Sequence, residues 1–248
     1  MNDLNELIKR SMFFDTIKDV YNYDLMDMKD IAIELNIWDS LSEEKKEFYT
    51  KFCKSNVDDK VKYKFNRCVE EINKNNINID EVVSEVSKEV EDDDDNLIYG
   101  EITKSGVDSL LREIKKRKSI TSDDVFYDIG SGNGKLPIHI ALISEFSKVK
   151  GIEISDIRYM YSNHILKNAV GNIDNIEFIN DDVRNIDISD ATVIFINDVL
   201  FSEEDVEHIF EKASKGSHII SFKKKSDDII NLDVSWYPLP SPFNYHIK

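Results

Sequence analysis

Glycine, proline and cysteine are scarce in this sequence, and their absences come in blocks. No glycine precedes Gly100 and no proline precedes Pro137, although the chain holds 8 glycines and 4 prolines. A glycine- or proline-rich linker in the first hundred residues is therefore excluded. The two cysteines, Cys53 and Cys68, both stand in the amino-terminal part. Two lone thiols make no disulfide framework and suit an intracellular setting. No apolar run approaches the roughly 20 residues of a membrane span, and no signal-peptide pattern opens the sequence. The expectation is an intracellular protein, nuclear or cytoplasmic, with no membrane partner. Positive charge is also short: 32 Lys and Arg stand against 49 Asp and Glu, a net charge of −17. Such a balance opposes phosphate neutralisation, so direct sequence-specific nucleic-acid binding is not expected. It suits a basic protein partner, with solubility as the plainer account. The five histidines (139, 164, 208, 218 and 246) form no ligand-spaced pair, so no metal is expected.

What is present is a globular composition, 41% hydrophobic and 33% charged over 248 residues. That allows one large domain or two small ones. The stretch that organises the chain is Asp124-Val-Phe-Tyr-Asp-Ile-Gly-Ser-Gly-Asn-Gly-Lys135. Val125 to Ile129 reads as a buried strand, Gly130, Gly132 and Gly134 as a turn, and Leu136 to Ile143 as a helix. This order brings backbone N–H groups against a ligand, because glycines let the main chain approach closely. The spacing G-x-G-x-G differs from the dinucleotide fingerprint G-x-G-x-x-G. Asp128, two positions before the first glycine, would repel a pyrophosphate but suits a cation such as a methionine ammonium. Glu153 ends a second strand (Val149 to Ile154), placed to accept from a ribose diol. Asp182 and Val183 follow a third strand (Asn175 to Asn180), an acid and an apolar residue suited to an adenine amino group and ring. Acids after three successive strands point to S-adenosylmethionine as cofactor, with S-adenosylhomocysteine as product. Gly130, Ser131, Gly132 and Gly134 form the cradle.

In chain order, residues 1–90 read as helices: the spacing of Leu4 to Val20, then Asp24–Asn36, Ser42–Lys54, Lys60–Asn73 and Asp80–Val90. The aromatic residues of this part read as core packing. Glu91 to Asp95 is the nearest thing to a boundary, giving an acidic helical region over 1–95 and a second domain over 96–248. A helix from Ser105 to Lys116 ends in Lys115-Lys-Arg-Lys118, read as cations at a helix C-terminus in preference to a nuclear-import signal. Further helices are expected over Asp156–Ala169 and Ser202–Ala213, with strands over Ala191–Asn197 and Ser217–Phe222. Val234–Trp236 and Phe243–His246 have the alternation of one or two antiparallel strands around a Pro-rich turn. Strands alternating with helices mean a mostly parallel, doubly wound sheet with its ligand at the strands' carboxyl ends. The fold class is therefore α/β and Rossmann-like, a class I methyltransferase with an antiparallel terminal strand.

The end of the fourth strand bears on what is methylated. Asn197-Asp-Val-Leu lacks the Pro-Pro-aromatic of enzymes acting on exocyclic base amines. Carbon-5 cytosine methylation needs a cysteine nucleophile, and residues 96–248 have none.

Tyr99-Gly-Glu-Ile-Thr103, Val125 to Gly134, Gly151-Ile-Glu153, Val193 to Asn197 with Phe201, and Val234-Ser-Trp236 occur in an order that resembles the disruptor-of-telomeric-silencing family. These are non-SET histone lysine methyltransferases acting on the globular face of histone H3. The resemblance covers about residues 96–248. It implies that Tyr99, Glu101 and Thr103 belong to a loop over the cofactor. It also implies that Asn197, Phe201, Trp236, Tyr99 and the Phe243–Tyr245 region serve the catalytic channel, with a histone or nucleosome as partner. Asp198 stands where the family has a second asparagine, and the strongly basic flanks of family members have no counterpart here. A non-histone protein, an RNA or a small molecule stays open as the alternative substrate, as does a cofactor-binding protein without activity.

Overall fold

A computed structural model describes residues 16–23, 28–51, 101–171, 173–235 and 239–248. These fall into two compact units. The smaller holds residues 28–51, 101, 234–235 and 239; the larger holds the rest. The expected helices over 60–73 and 80–90 lie outside the described residues, as do residues 1–15.

In the smaller unit, α1 (Met28–Glu34) leads through a 3-10 turn at Trp38–Ser40 to α2 (Glu43–Lys51). Ile31 and Ala32 are fully buried. The Ser42 hydroxyl accepts the Lys45 N–H at 3.2 Å, capping α2 as its Ser-Glu-Glu start suggests.

The larger unit is a seven-stranded sheet with helices between its strands. Its elements are α3 (Lys104–Arg117), β1 (Val125–Ile129), α4 (Lys135–Ile143), β2 (Lys148–Ile152), α5 (Asp156–Ile165), β3 (Ile176–Ile179), β4 (Val193–Ile196), α6 (Glu203–Lys212), β5 (His218–Ser221), β6 (Ile229–Leu232) and β7 (Ser241–Ile247). The strand order is β3-β2-β1-β4-β5-β7-β6. All neighbours pair in parallel except β7, which runs against both β5 and β6. This is a Rossmann-like α/β sheet with an antiparallel terminal strand. The β-branched runs of β1, β4 and β5 are buried on both faces, as a covered parallel sheet requires. Among the described residues no helix is long and apolar enough to cross a membrane.

One strand differs from expectation. Val234 makes only an isolated bridge, and the strand lies earlier, at Ile229–Leu232, paired with Ser241–Asn244. Its Ile230 and Leu232 face inward while Ile229 and Asn231 face out, and only this pattern buries two large aliphatics.

Residues 16–21 are helical and pack against α4 and α5, with Ile17 and Val20 among Ile138, Leu142, Ile165 and Phe178. Two buried histidines complete the contact: Tyr21 Oη is 3.2 Å from His139 Nδ1, and Tyr23 Oη is 2.8 Å from His164 Nε2. Asp108 Oδ1 stands 3.4 Å from His139 Nε2, so the proton belongs on Nε2 and Nδ1 accepts from Tyr21. Burial, only partly offset by Asp108 and reinforced by Lys104, pushes the His139 imidazole down to about 4. In the unfolded chain it titrates near 6.5. The unfolded state therefore takes the proton first, and stability present above pH 6.5 is lost as pH falls toward 4. At pH 5 the loss from this side chain comes to about 2 kcal/mol. Urea unfolding at pH 7 and pH 5 should show this fall in the wild type and a flatter dependence in His139→Gln. Equal pH dependence in the two proteins would refute it.

Candidate active site

The sheet register sets the site. Ile129 pairs with Ile152 on one side and with Ile196 on the other. The residues that follow, Gly130, Glu153 and Asn197, therefore leave the sheet side by side at its carboxyl edge. This is where the strand order reverses, between β1 and β4, the position at which doubly wound sheets bind ligands.

The glycine turn runs from Gly130 to the first turn of α4, and Gly130, Gly132 and Gly134 have φ of 77°, 56° and 76°. At Gly130 the constraint is also spatial: a Cβ would lie 3.1 and 3.2 Å from the edge of the Phe201 ring. The N–H groups of Gly130 and Ser131 both donate to the Ile152 carbonyl at 2.9 Å. Gly132 donates its N–H to Glu153 Oε2 at 2.8 Å, and Ser155 donates to Oε1 at 2.9 Å. Glu153 is 4% exposed. Its carboxylate is thus aimed by two backbone donors and keeps lone pairs for further donors. Asn180 Nδ2 donates to the Glu153 carbonyl at 3.0 Å, fixing the same corner from β3.

Asp128, also 4% exposed, is the last side chain but one of β1. Burial first, and then the charge of Glu153, hold its carboxyl well above the usual carboxylate range. A pair of buried acids at one strand edge is costly unless a cation or hydrogen-bond donors meet them. A ligand with an ammonium group and a vicinal diol supplies both, so the donor set fits S-adenosylmethionine.

The fourth strand delivers the other half of the site. Asn197, half-buried, opens a 3-10 turn at Asp198–Leu200, and Phe201 closes it with its N–H on the Asp198 carbonyl at 3.1 Å. The Phe201 ring, half-buried against the core beneath the sheet edge, is the group that faces Gly130.

The structure thus brings together Asp128, Gly130, Ser131, Gly132, Gly134, Glu153, Asn197 and Phe201. Others are engaged differently. Asp182 caps the 3-10 turn Val183–Asn185 and its carboxylate is paired with the Arg184 guanidinium, which holds its pKa below the usual range. Val183 packs with Ile129, Ile152 and Ile194. Thr103 caps α3, accepting the Gly106 N–H at 3.1 Å and donating its hydroxyl to the Asp233 carbonyl at 3.1 Å. Glu101, in the smaller unit, accepts the Ser235 N–H on its carbonyl at 2.8 Å and donates its own N–H to the Ser235 hydroxyl at 2.9 Å. Tyr99 and Trp236 lie outside the described residues. The Phe243–Tyr245 region is interior: Phe243 is fully buried between Phe195 and Phe222, and Tyr245 meets His218 Nδ1 at 2.8 Å. Alternation predicts a strand there but not which side of it is sealed by β5 and β6. Arg184 and Lys223 escaped the sequence reading because each acts on a backbone or carboxylate partner set by folding.

With the geometry in place, comparison with known proteins decides the family. The model of the family described as histone methylation protein DOT1 matches residues 88–235. The chain belongs to this family. A protein-lysine N-methyltransferase of Saccharolobus islandicus is 30% identical over 117 residues, 46% of this chain and 71% of that protein. Among solved structures, an RNA methyltransferase of Salinibacter ruber in complex with S-adenosyl-L-homocysteine is 23% identical with a TM-score of 0.46, covering 58% of this chain and 92% of the other. As a DOT1-family member the chain is an S-adenosylmethionine-dependent protein-lysine methyltransferase, and S-adenosylhomocysteine is its product.

Proposed function

We propose that this DOT1-family enzyme methylates a lysine on a basic protein, with a core histone such as H3, presented in nucleosomes, as the first candidate. The observation that carries the reading is the Phe201 ring set against Gly130, with Asn197 at the next strand end. That contact puts an apolar wall and a side-chain amide beside the cofactor turn. The net charge of −17 supports a cationic partner. The Saccharolobus islandicus relative, a protein-lysine N-methyltransferase, supports the same acceptor group.

The cofactor, when bound, offers a methyl group on a sulfonium. The residues' task is to present a neutral amine to it. A lysine in water holds its proton to about pH 10.4. Enclosure by Phe201 would strip water from the stem and lower that value, and Trp236 is proposed to serve the same stem. Asn197 accepts a hydrogen bond from the amine and fixes its approach; no strong base is required. Tyr99, Glu101 and Thr103 are assigned to the loop over the cofactor. Asp128, Glu153, Gly130, Ser131, Gly132 and Gly134 hold it, and Asp182 and Val183 serve its adenine end.

The test is transfer of tritiated methyl to free core histones and to reconstituted nucleosomes, with mass-spectrometric mapping. Label is expected on a histone lysine, and Asn197→Ala should lower kcat about tenfold or more while cofactor affinity changes little. Full turnover in that variant would remove Asn197 from its role. Label on RNA alone, or on other proteins but no histone, would overturn the histone assignment.

A further inference from the structure

Three donors converge on one buried carboxylate directly beside the site. Asp198 is 0% exposed. Its Oδ2 accepts the Ser221 hydroxyl at 2.7 Å, and its Oδ1 accepts the N–H groups of Phe222 at 2.7 Å and Lys223 at 2.9 Å. Ser221 is itself held, accepting the Lys224 N–H at 3.1 Å. The turn that begins at Asp198 is thereby fastened to the chain leaving β5. The far end of the turn is fastened too: Lys223 Nζ donates to the Phe201 carbonyl at 2.9 Å. Asn197 and Phe201 are the residues on either side of this clamp, and the Phe201 ring it positions lies against Gly130. Neither of those two side chains is tied to β5 by any of these bonds; the tie passes through Asp198 and the Phe201 backbone.

We infer that Asp198 is a positioning residue for methyl transfer, clamping the β4 turn to β5 so that Asn197 and the Phe201 ring are held against the glycine turn. The inference rests on the assignment of Asn197 and Phe201 to the acceptor end of the site. Its demand is for acceptor geometry and not for charge. An asparagine could accept both backbone N–H groups on its oxygen and donate to the Ser221 oxygen, keeping all three bonds. An alanine would leave three donors without partners, and the turn would move to satisfy them. Displacement by about 1 Å at such a place costs turnover far more than it costs ligand binding.

The experiment has a readout that needs no substrate. The chain holds 8 glycines, so selective ¹⁵N-glycine labelling gives a simple amide spectrum in which Gly130 is identified through Phe201→Leu, which removes the ring. Asp198→Ala should move the Gly130 resonance in the same direction as Phe201→Leu, and Asp198→Asn should leave it in place. In methyl transfer to core histones, Asp198→Ala should lose about tenfold or more in kcat with the Kd for S-adenosylhomocysteine within about threefold, and Asp198→Asn should restore most of it. Should Asp198→Ala fail to fold, Ser221→Ala, which removes one bond of three, should still shift Gly130 part of the way. An unmoved Gly130 resonance in a folded Asp198→Ala or Ser221→Ala protein overturns the inference, as does an Asp198→Asn protein as impaired as Asp198→Ala. If Asn197→Ala and Phe201→Leu are both fully active, the assignment of the acceptor end fails instead, whatever Gly130 does.

Discussion

Asp128→Asn should bind S-adenosylhomocysteine about 100-fold more weakly than the wild type and yet be the more stable protein. Both effects come from the same placement. Asp128 is 4% exposed, and burial together with the charge of Glu153 holds its pKa well above the usual carboxylate range. An unfolded aspartate is ionised above about pH 4. Folding at neutral pH therefore works against this group, and the penalty grows as pH rises from the unfolded value to the folded one. Asparagine has the same shape and nothing to ionise, so it removes the penalty. It also removes the negative partner for a ligand ammonium, and the loss of one side of a buried charge pair is worth about 2–5 kcal/mol. Calorimetric titration and thermal unfolding read the two effects separately. Affinity within threefold of wild type, or no gain in stability, would mean that Asp128 is not the group that meets the cation.

Gly134→Ala should be among the most damaging single-methyl substitutions in the chain, costing about 2–5 kcal/mol. Gly134 stands at the start of α4 with φ at 76°, a conformation that itself costs alanine about 1–2 kcal/mol. Space compounds it. The added Cβ would come within 2.5 Å of the Phe178 ring and 2.6 Å of Ser162 Cβ. Both neighbours are packed, Phe178 on β3 and Ser162 inside α5, so neither can withdraw without moving an element. The outcome is read by urea unfolding of the free protein. Gly216→Ala is the control, since Gly216 also has positive φ, 89°, but has nothing within 4 Å of its Cβ position. Equal losses in the two variants would show that backbone strain alone decides the matter and that the contact with Phe178 does not.

The strands and the glycine turn were legible because their signals are local. Val125 to Ile129 is apolar and β-branched or aromatic apart from its one acid, and three glycines at a spacing of two can hardly be continued strand or helix. The start of α6 rests on equally local contacts: Ser202, ahead of three acids, accepts the Asp205 N–H at 3.1 Å. What the sequence hides is long-range pairing. Nothing around Asp198 announces that Ser221, Phe222 and Lys223 will close on it, and as a departure from the family pattern it reads only as a doubt. Nothing in the sequence announces that folding turns Arg184 back onto Asp182. The Phe243–Tyr245 stretch has the aromatic character of a channel wall, yet β7 is inserted between β5 and β6, and an interior strand buries such residues.

The pairing of Tyr21 and Tyr23 with His139 and His164 separates two kinds of boundary. The family match begins at residue 88, which marks where ancestry is readable. The physical unit begins earlier. A chain cut back to that match would leave the outer faces of α4 and α5 uncovered, with Ile138, Leu142 and Ile165 open to water and two imidazoles short of their hydroxyl partners. Inheritance delimits the chemistry here, while the fold borrows its rear wall from the unmatched beginning of the chain.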